Sequence, residues 1–161
     1  MRKIKYFEEE ISVEEYITNE ILANKGTQSI CFKEDLEKLC DFADIKHTES
    51  MTKKELLDLL FEAKAVDYKL LAEMFHIGVS SKVYQETFKI THQEVKRLET
   101  HGVLKVVGSY RFRAFGKYNY APLYDIYQYA EMSDEDMQTL LEQYPKGCRV
   151  KKDNSKEQGL L

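Results

Sequence analysis

The chain has 161 residues, 43% hydrophobic and 32% charged, with a formal net charge of -4. That length holds one ordinary domain or two very small ones, and that balance allows a packed core and excludes wholesale disorder. Net acidity excludes a protein that coats nucleic acid indiscriminately, and the scarcity of proline, Pro122 and Pro145 alone, suits a helix-rich chain.

Several helix starts are marked by a Ser or Thr followed three residues later by an acid. Ser12 with Glu15, Thr52 with Glu55 and Thr91 with Glu94 fit the reciprocal capping box, and Ser133 with Asp136 is a weaker version. Apolar spacing predicts helices over 13–24, 33–43, 53–64 and 68–77, the last broken by Gly78, then two short helices over 81–88 and 92–101. The pattern then turns to alternation. Val103–Val107 reads as a strand, Gly108-Ser109 as a two-residue turn and Tyr110–Phe115 as the return strand. Gly116-Lys117 turns again, with a brief third strand at 118–120. Helices over 123–131 and 134–144 close the fold, and the polar, Lys-rich tail 146–161 is expected to be disordered. The expected class is mainly α with a small antiparallel β-hairpin. The expected division is a helical subdomain over 1–66, a second over 67–145, and the tail.

No apolar run reaches the roughly 18 residues of a membrane span, and the N-terminus carries charge without the apolar core of a signal peptide. Cys31, Cys40 and Cys148 are odd in number and have neither metal nor redox spacing. A reducing, cytoplasmic setting is expected. His47, His76, His92 and His101 do not space with the cysteines as metal ligands, and no phosphate loop or nucleophile elbow occurs. Neither cofactor nor catalysis is expected.

Charge is distributed unevenly. Residues 1–66 carry 10 basic and 15 acidic side chains, residues 82–118 carry 8 and 3, and residues 119–144 carry none and 6. The basic block can form a local anion-binding face, or pair with its acidic flanks. Within 92–101, Val95 and Leu98 point one way, while Gln93, Lys96 and Arg97 stand at i, i+3 and i+4 on the other face. Gln can pair with adenine, Arg with guanine and Lys with phosphate or guanine in a major groove. Thr91 and His92 sit at the helix N-terminus, where backbone N–H groups favour phosphate. The same residues also fit an ordinary solvated helix face. In the ribbon, Tyr110, Phe112 and Ala114 alternate with Arg111, Arg113 and Phe115. One face is expected to pack on the helices while the arginines, with Lys117, meet phosphates. Lys105 and Lys89 are lesser candidates. The eight aromatics from Tyr110 to Tyr129 are read as core and wing packing.

From Thr87 to Leu104, a short helix, an Ile-Thr turn, a helix with Val and Leu inward, a glycine and a basic hairpin follow one another. That order resembles the excisionase and MerR-type winged helix-turn-helix pattern, over about 84–129. The resemblance implies a winged-helix-like α+β fold and a DNA-binding role in a regulatory or phage-type mobile-element setting. Leu71–Ile77 also looks like the first helix of a helix-turn-helix, although Lys82 falls where that register wants an apolar residue. Residues 34–62 resemble the SAP or helix-extension-helix module, without its usual glycine; the resemblance puts Lys53 and Lys54 in position to touch phosphate, but the module is acidic here and is read first as a structural helix pair only. Double-stranded DNA is the expected partner. A homodimer is a further expectation, through the amphipathic first helix. The rival expectation is an interaction or inhibitor protein that meets a basic partner with the acidic helical faces of 1–66 and 119–144. RNA or single strands are a secondary reading of the basic, aromatic stretch from Arg113 to Tyr118.

Overall fold

The computed structural model describes residues 1–149, so the expected disordered tail lies outside the described residues from position 150 onward. An antiparallel hairpin that alternation did not reveal, β1 (Ile4–Tyr6) with β2 (Glu9–Ile11), opens the chain. Then come α1 (Val13–Leu22), a short 3-10 turn at Gly26–Gln28, α2 (Lys33–Phe42), α3 (Lys53–Glu62) and α4 (Tyr68–Met74). Thr52 and Thr91 form full reciprocal capping boxes, and so does Ser133, the weaker expectation. Ser12 supplies half of one: its hydroxyl accepts from the Glu15 N–H at 3.1 Å. Asp67 caps α4 by accepting from the Leu70 N–H at 2.7 Å.

The apolar stripe of α1, Val13, Ile17 and Ile21, is buried, and the helix packs against α4. That stripe is taken up by the chain's own core and is not free for the dimer contact expected of it. The α2–α3 pair packs closely. Lys53 departs from that expectation. Its ammonium donates to the carbonyls of Ile21 at 3.0 Å, Ala23 at 3.4 Å and Cys31, so it closes the C-terminal end of α1 and does not face outward.

The second half runs β3 (Gly78–Val79), α5 (Ser81–Phe88), α6 (His92–Thr100), β4 (Val106–Ala114), β5 (Lys117–Asp125), α7 (Ile126–Glu131) and α8 (Asp134–Gln143). The sheet order is β3-β5-β4, all antiparallel. With α4 before β3 and the α5–α6 pair before the hairpin, this is a winged-helix-like α+β arrangement within a mainly helical chain. α4 leads into β3, α5 and α6 follow as the next helix pair, and Lys82 is an exposed α5 residue 3.9 Å from Glu86. Gly78 does more than end a helix. A Cβ there would meet the Tyr124 carbonyl oxygen at 2.5 Å, so only glycine lets β3 lie against β5.

The ribbon differs from expectation. Val103–Lys105 precede the strand, and Gly108-Ser109 lie inside β4, opposite Leu123 and Pro122. Gly108 is there for close approach, since a Cβ would sit 2.9 Å from that of His76. The turn is Phe115-Gly116, both with positive φ (53° and 74°) between the paired Ala114 and Lys117, which is the type I′ geometry of a two-residue hairpin. The expected third strand is the start of β5, and the helix expected from 123 begins at Ile126. Asp125 caps it, its carboxylate accepting from the N–H groups of Tyr127 at 2.8 Å and Gln128 at 3.3 Å. Pro122 is tolerated because β3 covers only Tyr124 and Asp125, leaving that stretch of β5 an edge.

One buried cluster joins both halves, from Ile4, Ile17 and Leu36 through Leu60, Leu71 and Tyr84 to Leu98, Tyr124 and Met137.

Candidate nucleic-acid interface

Val95 and Leu98 anchor α6 in the core, and Tyr124 fastens its far end by donating its hydroxyl to the Glu99 carboxylate at 2.5 Å. Burial, reinforced by that carboxylate, pushes the Tyr124 phenol well above its ordinary pKa. With the inner face held, His92, Gln93, Lys96 and Thr100 are exposed together on the outer face. Lys96 lies 3.3 Å from Glu99 in a surface pair that leaves over half of its side chain exposed. Gln93 makes no side-chain hydrogen bond among the described residues. His92 Nδ1 is 3.0 Å from Ser81 Oγ, which fixes the ring against α5.

Two expected members sit differently. The Arg97 side chain is only 18% exposed, its guanidinium 4.0 Å from Glu94 and its Nε buried without a partner among the described residues. It lies at the rim of the outer face, on the side where the His101 ring lies tilted against Tyr144 at 5.0 Å and meets Cys148 Sγ at 3.1 Å. Thr91 is occupied as the helix cap, and the Glu94 carboxylate accepts from the Thr91 N–H at 3.0 Å. That carboxylate holds the place at the helix N-terminus expected for a phosphate. Lys89 is exposed in the turn between α5 and α6 and adopts the left-handed conformation, φ 55°.

In the wing, residues opposite one another across an antiparallel pair share a face. The register pairs Arg111 with Tyr120 and Arg113 with Tyr118, so two arginines and two tyrosines share one face. The Arg111 guanidinium lies 4.4 Å from the Tyr118 ring centre and that of Arg113 5.7 Å, holding both side chains along the strand. Tyr110, Phe112, Lys117 and Asn119 share the other face, which is also open: Tyr110 is 40% and Phe112 41% exposed. The expectation that one face packs on the helices is therefore not met along the outer hairpin, while nearer the base Tyr110, Arg111 and Tyr120 line a cleft with Tyr16 and Glu20 of α1. Of the eight aromatics, Tyr124 and Tyr129 are core, Tyr127 packs against it, and Tyr110, Phe112, Phe115, Tyr118 and Tyr120 are exposed.

No acidic residue occurs from Thr100 to Tyr124. Arg111, Arg113 and Lys117 make no ion pair among the described residues, whereas Lys105, at the wing's base, lies 4.0 Å from Asp125. A turn at Gly108-Ser109 hides the alignment of Tyr118 and Tyr120 with the arginines, and sequence reasoning names Phe115 and Tyr118 as candidates only in the single-strand alternative. A turn at Phe115-Gly116 aligns both tyrosines with the arginines by simple alternation. A second basic cleft, with Arg2, Lys3, Lys5 and Lys82, also holds Glu10 and Glu86, which offset part of its charge. The described residues contain no group of three or more His, Cys, Asp or Glu placed to hold a metal. Among the described residues, no helix is long and apolar enough to cross a membrane.

Compared with known proteins, the chain matches no family model, no curated protein and no solved structure.

Proposed function

We propose that this chain is a non-enzymatic DNA-binding protein that engages duplex DNA through α6 and the wing, in a regulatory or mobile-element role. The observation that carries the reading is the wing: a hairpin exposed on both faces towards its tip, with Arg111, Arg113 and Lys117 in no ion pair among the described residues and no acid from Val106 to Tyr124. Beside it in sequence stands a helix whose outer face offers Gln93 and Lys96. The helix would lie in a major groove, with Gln93 and Lys96 toward base edges. The wing cations would contact phosphates or the adjacent minor groove. Arg97 steadies α6 at its rim, and Lys105, Lys89 and His92 are secondary phosphate contacts. A cytoplasmic setting accords with the free, buried thiols of Cys31 and Cys40.

One observation favours a different partner. Phe42 is 93% exposed at the end of α2, between Asp41 and Asp44, a site suited to a basic protein. Fluorescence anisotropy with a labelled random duplex, at low and physiological salt, separates the two. Binding that weakens steeply with salt and is lost in an R111A/R113A/K117A variant supports the DNA reading. No binding at low salt overturns it in favour of the protein partner.

A further inference from the structure

The wing ends in a residue that its own turn disfavours. Both central positions of a type I′ turn require positive φ, and the first is ordinarily Asn, Asp or Gly. Here it is Phe115, at φ 53°, with its side chain fully exposed. A bulky side chain in that conformation is strained, and an exposed aromatic ring gains nothing from burial. The rest of the turn is well made. Gly116 takes the second position, and Asn119 donates to the carbonyls of Ala114 at 3.4 Å and Lys117 at 3.2 Å. The strain is therefore confined to the one side chain that points away from the body.

The first hairpin supplies an internal comparison. Its tip is also a phenylalanine at positive φ, Phe7 at 55°. That ring has a partner, packing edge-on to Tyr6 at 4.7 Å, and Glu8, Glu9 and Glu10 follow it. Phe115 has no ring partner among the described residues, and Arg113 and Lys117 flank it two residues away on each side. An apolar tip between cations, on an acid-free arm, matches a polyanion that has an apolar interior. A duplex is such a target: phosphates line its surface and base faces become available where a step opens.

We infer that Phe115 is a wedge that inserts between base pairs of duplex DNA from the minor groove, with Arg113 and Lys117 on the phosphates on either side. The inference rests on the DNA-binding reading and adds to it a deformation of the DNA. Pyrimidine–purine steps unstack most readily, so flexible TA steps are the preferred entry points.

The test uses the full chain and a duplex carrying 2-aminopurine at TA steps, whose fluorescence rises when the base unstacks. The variants are Phe115→Asn, which suits the turn, and Phe115→Leu, which keeps an apolar wedge. The wild type is expected to raise the fluorescence on binding, and Phe115→Leu to retain most of the rise. Phe115→Asn is expected to abolish it and to weaken binding by about tenfold, within the range measured for loss of one base–aromatic contact, while keeping the salt dependence. Because Asn relieves the turn, its thermal midpoint should be at or above that of the wild type, which separates lost insertion from lost folding. Phe115→Asn binding as tightly, with the same fluorescence rise, overturns the wedge and leaves DNA binding standing. Absence of salt-sensitive binding by the wild type overturns both.

Discussion

At single positions, this chain departs from local preference in ways that can be read and measured. Lys89 holds the left-handed conformation between α5 and α6 at φ 55°, where glycine carries no Cβ penalty. Lys89→Gly is expected to raise stability by roughly 0.5–1 kcal/mol, read as a higher urea midpoint at unchanged slope. Lys53 is the reverse case, a lysine whose charge serves the fold. It satisfies carbonyls at the end of α1 and at Cys31, so Lys53→Ala should cost about 1.5–3 kcal/mol, the range for hydrogen bonds involving a charged group. Cys31 is fully buried, and burial pushes its thiol up to about 11. Burial raises Cys40 as well. At pH 8 both are expected to stay protonated and unlabelled in the folded protein, with Cys148 alone reacting with a thiol reagent and all three reacting after denaturation.

At the level of elements, packing decides what the local pattern leaves open. The helices were legible because caps and apolar spacing agreed: Thr52, Thr91 and Ser133 start helices within a residue of expectation. The strands were less so. β3 is two residues long and exists only because Gly78 lets Tyr124 approach, a reason that lies 46 residues away in sequence. Gly108 reads locally as a turn glycine, yet it makes room for His76, and a turn placed there gives the wing a different register. Gln93 and Lys96 were legible as an outward pair from helical spacing. The inward tilt of Arg97 was not, because it depends on neighbours that the spacing does not name. Gly78→Ala tests the distant contact directly. It should destabilise by roughly 1–3 kcal/mol through overpacking, read as a lower urea midpoint, and should loosen the wing's base, read as faster amide exchange at Tyr124 and Asp125.

Across the whole molecule, the buried tyrosines and the segregated charge set behaviour in solution. Burial holds the phenols of Tyr16, Tyr84 and Tyr124 well above the ordinary range and raises Tyr127 to about 12. The protonated form is therefore favoured by folding. Its contribution is fully present below the unfolded phenol pKa of about 10 and is lost as pH rises through the folded values. The thermal midpoint should fall progressively above pH 10, and an ultraviolet titration should find these phenols silent until the chain unfolds. Charge is arranged with acid on α2 and the start of α8 and cations on the wing, so a net acidic chain can still present a local cationic arm. The central claim, that this arm meets DNA phosphates, is tested most directly by the slope of log K against log salt for duplex binding, in the wild type and in R111A/R113A. Each phosphate contact contributes about 0.9 to that slope, so losing both arginines should lower its magnitude by about 2. Equal slopes in the two proteins, or no binding by the wild type at low salt, would contradict the account.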